Sequence, residues 1–226
     1  MTDPREKPKN LFQPADVMDY IQDHSRDAHP QLKNIRLDCE QHPWNFMLST
    51  KDQAAFLHTL AKATGATRIL EIGSYYGHST LALASALPID GKIISIEHNP
   101  KFANKVTEHM KLAGLEDRME LIVGEARVKL PELELSVKPE SFDLMFVDAD
   151  KRHSKDYWEA ALRLVRPRGL IIFDNVLARG AVTSADDTHR SHVEAVRVFN
   201  QQVLNDTRVF SFIASIADGM LVATKI

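Results

Sequence analysis

The chain has 226 residues, with 28 lysines and arginines against 31 aspartates and glutamates and a hydrophobic fraction of 44%. That is enough chain for one domain with a full core, and a formal charge of −3 argues against a broad nucleic-acid footprint. A lone cysteine, Cys39, excludes an internal disulfide; no apolar run approaches the roughly 20 residues of a membrane span, and the start MTDPREKPKN has no signal-peptide core, so a cytoplasmic location is expected.

Residues 1–50 read as a helical cap on a single domain spanning 1–226. Apolar residues recur at helical intervals over Asp16–His24 (Val17, Tyr20, Ile21) and Gln31–Gln41 (Leu32, Ile35, Leu37), punctuated by Pro14, Pro30 and Pro43. Thr50 and Gln53 have capping-box spacing ahead of a helix through Phe56, Leu57 and Leu60 that stops at Gly65. Arg68–Ala84, RILEIGSYYGHSTLALA, is a buried strand, a turn bracketed by Gly73 and Gly77, and a helix opened by Ser79 and Thr80. Its glycine spacing, E-x-G-x-x-x-G, misses the dinucleotide fingerprint because Tyr75 stands at the second glycine. Strands over Lys92–Glu97, Met119–Val123, Phe142–Val147 and Leu170–Phe173 then alternate with helices over Lys101–Ala113, Ala126–Leu135 and Tyr157–Val165. The alternation predicts an α/β fold over 51–226: a doubly wound, mostly parallel, Rossmann-like sheet with helices on both faces. Val209–Ile216 and Met220–Ala223, joined by Ala217-Asp218-Gly219, read as a terminal antiparallel hairpin.

Glu71, Glu97, Asp148 and Asp174 each close a strand, and parallel strands open their carboxyl ends onto one crevice. Acids gathered there need compensating cations, so the sequence predicts a positively charged ligand, a metal, or both. Glu71 is expected to accept a hydrogen bond from a ligand's amino group. Glu97 suits the two hydroxyls of a ribose, or is an exposed strand-end acid. Asp148, Asp174 and Asn175 offer hard oxygen ligands for Mg²⁺ with open positions, or else the aspartates cap the segments that follow them.

LEIGSYYGHSTLALA, ISIE, FDLMFVDADKRHSKDYW and GLIIFDNVL, in that order, with HPWNFMLSTKDQAAFL ahead of them, resemble the cation-dependent class I O-methyltransferases, the group of the caffeoyl-coenzyme A and catechol enzymes. The resemblance runs from about His42 to the C-terminus. It implies S-adenosyl-L-methionine as methyl donor, with Met47 and Ser49 touching it, Glu71 and the Gly73-Ser74 backbone at its methionine end and Ser79 near its carboxylate. Tyr75 would pack beside the sulfonium, Glu97 would hold the ribose, Ala126 would border the adenine and Asp150 would help seat the cofactor. It also implies Mg²⁺, or Mn²⁺ or Ca²⁺ in its place, on Asp148, Asp174 and Asn175. Lys151, three residues beyond Asp148, would be the catalytic lysine, and the N-terminal helices would form a homodimer. Arg179 stands where plant relatives carry an asparagine in the acceptor pocket, which leaves the acceptor open.

The leading expectation is Mg²⁺-dependent methylation of a small catechol-like or caffeoyl-type phenol. A tRNA wobble 5-hydroxyuridine methyltransferase of the same fold is the alternative; it needs a basic surface from Lys7, Lys9, Arg26, Lys33, Arg36, Arg152, Arg179 and Arg190. Tyr75 and the metal set argue against a nicotinamide dehydrogenase, and Lys151 against a non-catalytic cofactor-binding module. His78, His98 and His153 lie near the motifs without a role, His153 being a candidate second base. Ser184–His192 is a candidate lid or acceptor loop.

Overall fold

Strand β1 (Arg68–Ile72) occupies the middle of the sheet, as Ile69, Leu70 and Ile72 require by being apolar on both sides. The computed structural model describes residues 14–184 and 191–226. β1 pairs in parallel with β2 (Lys92–Glu97) on one side and β4 (Phe142–Val147) on the other. β3 (Met119–Val123) lies outside β2, and β5 (Val165–Phe173) outside β4. β7 (Met220–Lys225) runs antiparallel to β5 and β6 (Val209–Ala214) antiparallel to β7, giving the order β3-β2-β1-β4-β5-β7-β6. The chain steps outward from β1 to β3 and returns to β4, so the strand order reverses between β1 and β4. A crevice opens at the carboxyl ends of strands at such a point.

The two-residue period of the strands divides the core. Ile69, Leu144, Phe146 and Ile172 face α3 (Lys51–Ala63), α4 (His78–Ala86) and α5 (Pro100–Leu112), while Leu70, Met145, Ile171 and Phe173 face α6 (Ala126–Ser136), α7 (Ser154–Leu164) and α8 (Ser191–Leu204). The cap helices α1 (Ala15–His24) and α2 (Gln31–Glu40) precede them, and Leu32, Ile35 and Cys39 of α2 join the first core. The Thr50–Gln53 capping box is made in full at the start of α3.

Two differences from the sequence reading have local causes. β5 begins at Val165 rather than Leu170, because the polar Arg166-Pro167-Arg168 segment is taken into the strand with a register shift against Phe142 and Leu144. Helix α8 is absent from the strand–helix alternation predicted above, although Val193, Val196, Phe199 and Val203 have helical spacing and are buried. Trp158 of α7 packs against Phe173 and Phe199, a core role. Among the described residues no helix is long and apolar enough to cross a membrane.

Candidate active site

After β1 the chain makes a turn that requires glycine. Gly73 has φ 88, and a Cβ there would lie 2.3 Å from the carbonyl oxygen of Asp148. The turn delivers α4 with Gly77 at its N-cap. Glu97 stitches it to β2: Oε2 accepts the backbone N–H of Ser74 (3.2 Å) and Tyr75 (2.9 Å), and Oε1 that of Asn99 (2.9 Å). His98 Nδ1 also lies 3.2 Å from Oε1.

Glu71, expected to touch the ligand, does not border the site. The period of β1 turns it to the face of Ile69, beneath α4, where it accepts hydrogen bonds from Ser79 Oγ (2.6 Å), Thr80 Oγ1 (2.5 Å) and Ser95 Oγ (2.7 Å). Burial pushes its carboxyl up to about 7 against the pull of these hydroxyls, and the Asp148 charge adds to the rise. Of these three donors, Ser79 borders the site.

A cavity of about 1710 Å³ opens at the carboxyl ends of β1, β2, β4 and β5. That exceeds the ~300–1,000 Å³ that houses one drug-sized ligand, leaving space for two substrates. Met47, Ser49, Gly73, Ser74, Tyr75, Ser79, Glu97, Ala126, Asp148, Asp150, Lys151 and Asn175 all border it. Ser74 Oγ is buried there without a hydrogen-bond partner, an orphan that a polar ligand would satisfy. Tyr75 borders the cavity, yet its ring lies among His42, Tyr76 and Phe102. Its hydroxyl donates to the Trp44 carbonyl (3.0 Å) and meets His42 Nδ1 (2.9 Å), so it is committed to the cap.

Val147 and Phe173 are register partners, so Asp148 and Asp174 follow side by side on neighbouring strands. Lys151 Nζ is 3.5 Å from Asp148 Oδ1. Asp174 lies behind the wall, 1% exposed. Gln53 Nε2 donates to both of its oxygens at 2.9 Å, and the Asn175 N–H to Oδ1 at 2.7 Å. Asn175 reaches the wall from left-handed backbone (φ 55), and Ala178, Arg179 and Gly180 repeat that conformation in the next turn, a concentration of backbone strain at the cavity edge. Among the described residues no three His, Cys, Asp or Glu side chains converge on a metal position. The donor set expected from the sequence, Asp148, Asp174 and Asn175, is two carboxylates and an amide. Hard oxygens of this kind fit Mg²⁺, Mn²⁺ or Ca²⁺ and not a structural zinc.

Asp150 is held by His153 Nδ1 at Oδ1 (2.7 Å) and by the Tyr157 hydroxyl at Oδ2 (3.0 Å). Burial opposes ionisation, but these two donors outweigh it and keep the carboxyl below its ordinary value. His153, the candidate second base, is engaged with Asp150.

The structure adds residues that sequence reading passed over. Gln53 was legible only as a helix cap, although its carbonyl serves the cap and its amide serves Asp174. Asp218, in the β6–β7 turn, borders the cavity and accepts the Arg179 N–H at 2.5 Å. Phe46 lies under the Arg179 guanidinium, 5.4 Å from ring centroid to carbon, on the same wall. The local patterns they belong to, a helix cap for Gln53 and a hairpin turn for Asp218, carry no signal of the cavity. Of the basic surface required for tRNA, Lys7, Lys9 and Arg190 lie outside the described residues, and Arg36 is paired with Asp27 at 2.7 Å. Ser184 and His192 border the cavity, while 185–190 of the candidate loop lie outside the described residues.

Residues 22–226 match the O-methyltransferase family. Caffeoyl-CoA O-methyltransferase 2 of Zea mays is 35% identical over 228 residues, covering 96% of this chain and 86% of the relative. Catechol O-methyltransferase domain-containing protein 1 of Mus musculus is 33% identical over 220 residues, covering 96% of this chain and 84% of its own. The crystal structure of the Streptomyces achromogenes O-methyltransferase involved in tomaymycin synthesis, in complex with SAM, superposes with a TM-score of 0.82 at 32% identity, covering 93% of this chain and 96% of that one. By family, relatives and fold together, the chain belongs to the O-methyltransferases and is a S-adenosylmethionine-dependent member of that family.

Proposed function

We propose that this protein transfers the methyl group of S-adenosylmethionine to a hydroxyl of a small catechol-like or caffeoyl-type phenol, with Mg²⁺ held by Asp148, Asp174 and Asn175. What carries the reading is the register-matched pair Asp148 and Asp174, with Asn175 and Lys151 beside Asp148 on one cavity wall. The maize and mouse relatives, one named for caffeoyl-CoA and one for catechol, support the acceptor class.

A sulfonium methyl is already activated, so the protein's task is to present an ionised oxygen in line with the carbon–sulfur bond. A divalent cation would supply the charge that favours ionisation of a hydroxyl whose ordinary pKa, near ~10, leaves it protonated at pH 7. Lys151 takes the remaining acceptor proton at Nζ as the neutral amine, or holds the resulting anion by charge as the ammonium. Ser49, Ser74, Ser79 and the Gly73 backbone bind the amino-acid end of the methyl donor, and Glu97 its ribose. Ala126 and Asp150 border its adenine, Asp150 being oriented by His153 and Tyr157. Phe46 and Met47 keep water from the reacting atoms. A homodimer through α1 and α2 belongs to the same reading and would cover the exposed Val17, Tyr20 and Leu37; a monomer mass in light scattering removes it.

The test is methyl transfer from S-adenosylmethionine to a panel of catechol, caffeoyl-CoA and unmodified and hydroxylated tRNA, with and without EDTA. Activity on the phenols, lost in EDTA and restored by Mg²⁺, is expected. Undiminished turnover in EDTA refutes the metal role, and transfer to tRNA alone refutes the acceptor.

A further inference from the structure

His78 links the cavity wall to the N-terminal cap through a chain of hydrogen bonds. Asp27, between α1 and α2, receives both arms of the Arg36 guanidinium, Nη1 on Oδ1 and Nη2 on Oδ2, each at 2.7 Å. Arg36 Nη1 also lies 3.0 Å from His78 Nε2, and His78 Nδ1 lies 3.1 Å from Ser49 Oγ. A guanidinium can only donate, so Nε2 must be the accepting, unprotonated nitrogen of the ring. The proton of the neutral imidazole is then on Nδ1 and is donated to Ser49 Oγ. His78 is 1% exposed, which keeps bulk water from exchanging these roles. Ser49, having accepted from His78, directs its own hydroxyl proton elsewhere, and it borders the same cavity as the unsatisfied Ser74 Oγ.

We propose that His78, fixed as the Nδ1–H tautomer by Arg36, is a positioning residue that makes Ser49 a hydrogen-bond donor to the carboxylate at the amino-acid end of the methyl donor. The inference rests on the reading that this end lies against Ser49. Through it, Asp27 and Arg36 of the cap contribute to cofactor affinity without touching the cofactor.

Calorimetric titration of the full-length protein with S-adenosylhomocysteine, and with 5′-methylthioadenosine, which lacks the amino-acid end, tests this. His78→Phe should weaken S-adenosylhomocysteine binding about tenfold, the scale of one hydrogen bond to a charged acceptor, and leave methylthioadenosine binding unchanged. His78→Asn, whose amide can still donate to Ser49, should recover most of the loss. A His78→Phe variant that weakens both ligands alike, or neither, overturns the proposal. Ser49→Ala separates its two parts. If it causes no selective loss, the placement of the amino-acid end falls and the proposal with it. If Ser49→Ala is selective and His78→Phe is not, only the His78 link falls. Should the His78 variants not fold, a long-range ¹H–¹⁵N correlation spectrum of the unaltered protein decides: a proton on Nδ1 alone supports the proposal, and one on Nε2 overturns it.

Discussion

On the β1–β2 side of the cavity, Glu71 and Glu97 are buried and surrounded by donors of the protein itself: three hydroxyls on Glu71 and three backbone N–H groups on Glu97. On the β4–β5 side, Asp148 borders the cavity with Lys151 3.5 Å away, and Asp174 is oriented by Gln53 from a helix 121 residues earlier in the chain. Glu71 and Glu97 fasten the turn and α4 in place; on the other side Asp148 borders the cavity, while Asp174 is enclosed behind it. A strand-end acid is therefore not a site marker by itself, because the donors supplied by the fold decide how much of its charge is left for a ligand.

The comparison breaks most visibly at Asp174. Asp174→Ala should lower turnover by roughly 10³-fold while S-adenosylhomocysteine affinity, measured by calorimetry, stays within about twofold. A parallel loss of cofactor binding would mean that the two sides are not separable. On the β1–β2 side, Gly73→Ala forces a Cβ to 2.3 Å from the Asp148 carbonyl oxygen on left-handed backbone, and should cost roughly 3 to 4 kcal/mol in urea unfolding. An unchanged midpoint would show that the turn can open.

Glu71 sharpens the contrast through pH. Its folded carboxyl stands at about 7 against 4.5 for the unfolded chain, so the folded state binds the proton more tightly. Its contribution to stability is complete below pH 4.5 and is lost as pH rises to about 7, a difference of up to about 3 kcal/mol. Glu71→Gln should remove that slope, so the unfolding free energies of the two proteins diverge across this window; parallel curves would mean that Glu71 is ionised throughout. The smallest effect belongs to Gln53. Gln53→Leu should weaken Mn²⁺ binding about tenfold, the usual loss for a residue that orients a metal ligand, without altering S-adenosylhomocysteine binding. Equal loss of both would assign Gln53 to the fold alone.

Much of the scaffold was readable in the chain. β2 and β4 keep the ends read from their apolar runs, Lys92–Glu97 and Phe142–Val147, and the Asp218-Gly219 turn announced the hairpin. The burial of Glu71 beneath α4 was not legible, because its place at a strand end shows in the sequence and the helix that covers its face does not. α8 was passed over because its buried valines follow a polar stretch that resembles a loop. Gln53 was visible as a cap, but one side chain with two tasks shows only the local one in sequence.

The sequence alone determined the parallel sheet, the glycine turn and the set of strand-end acids, since these arise from periods of two and 3.6 residues and from conformations that few residue types tolerate. Only the tertiary structure decided which acids are enclosed and which face the cavity, and that Gln53 meets Asp174 and Arg36 meets His78. Those contacts join elements far apart along the chain, and their directions are set by how helices pack on the sheet, which no short window of residues encodes.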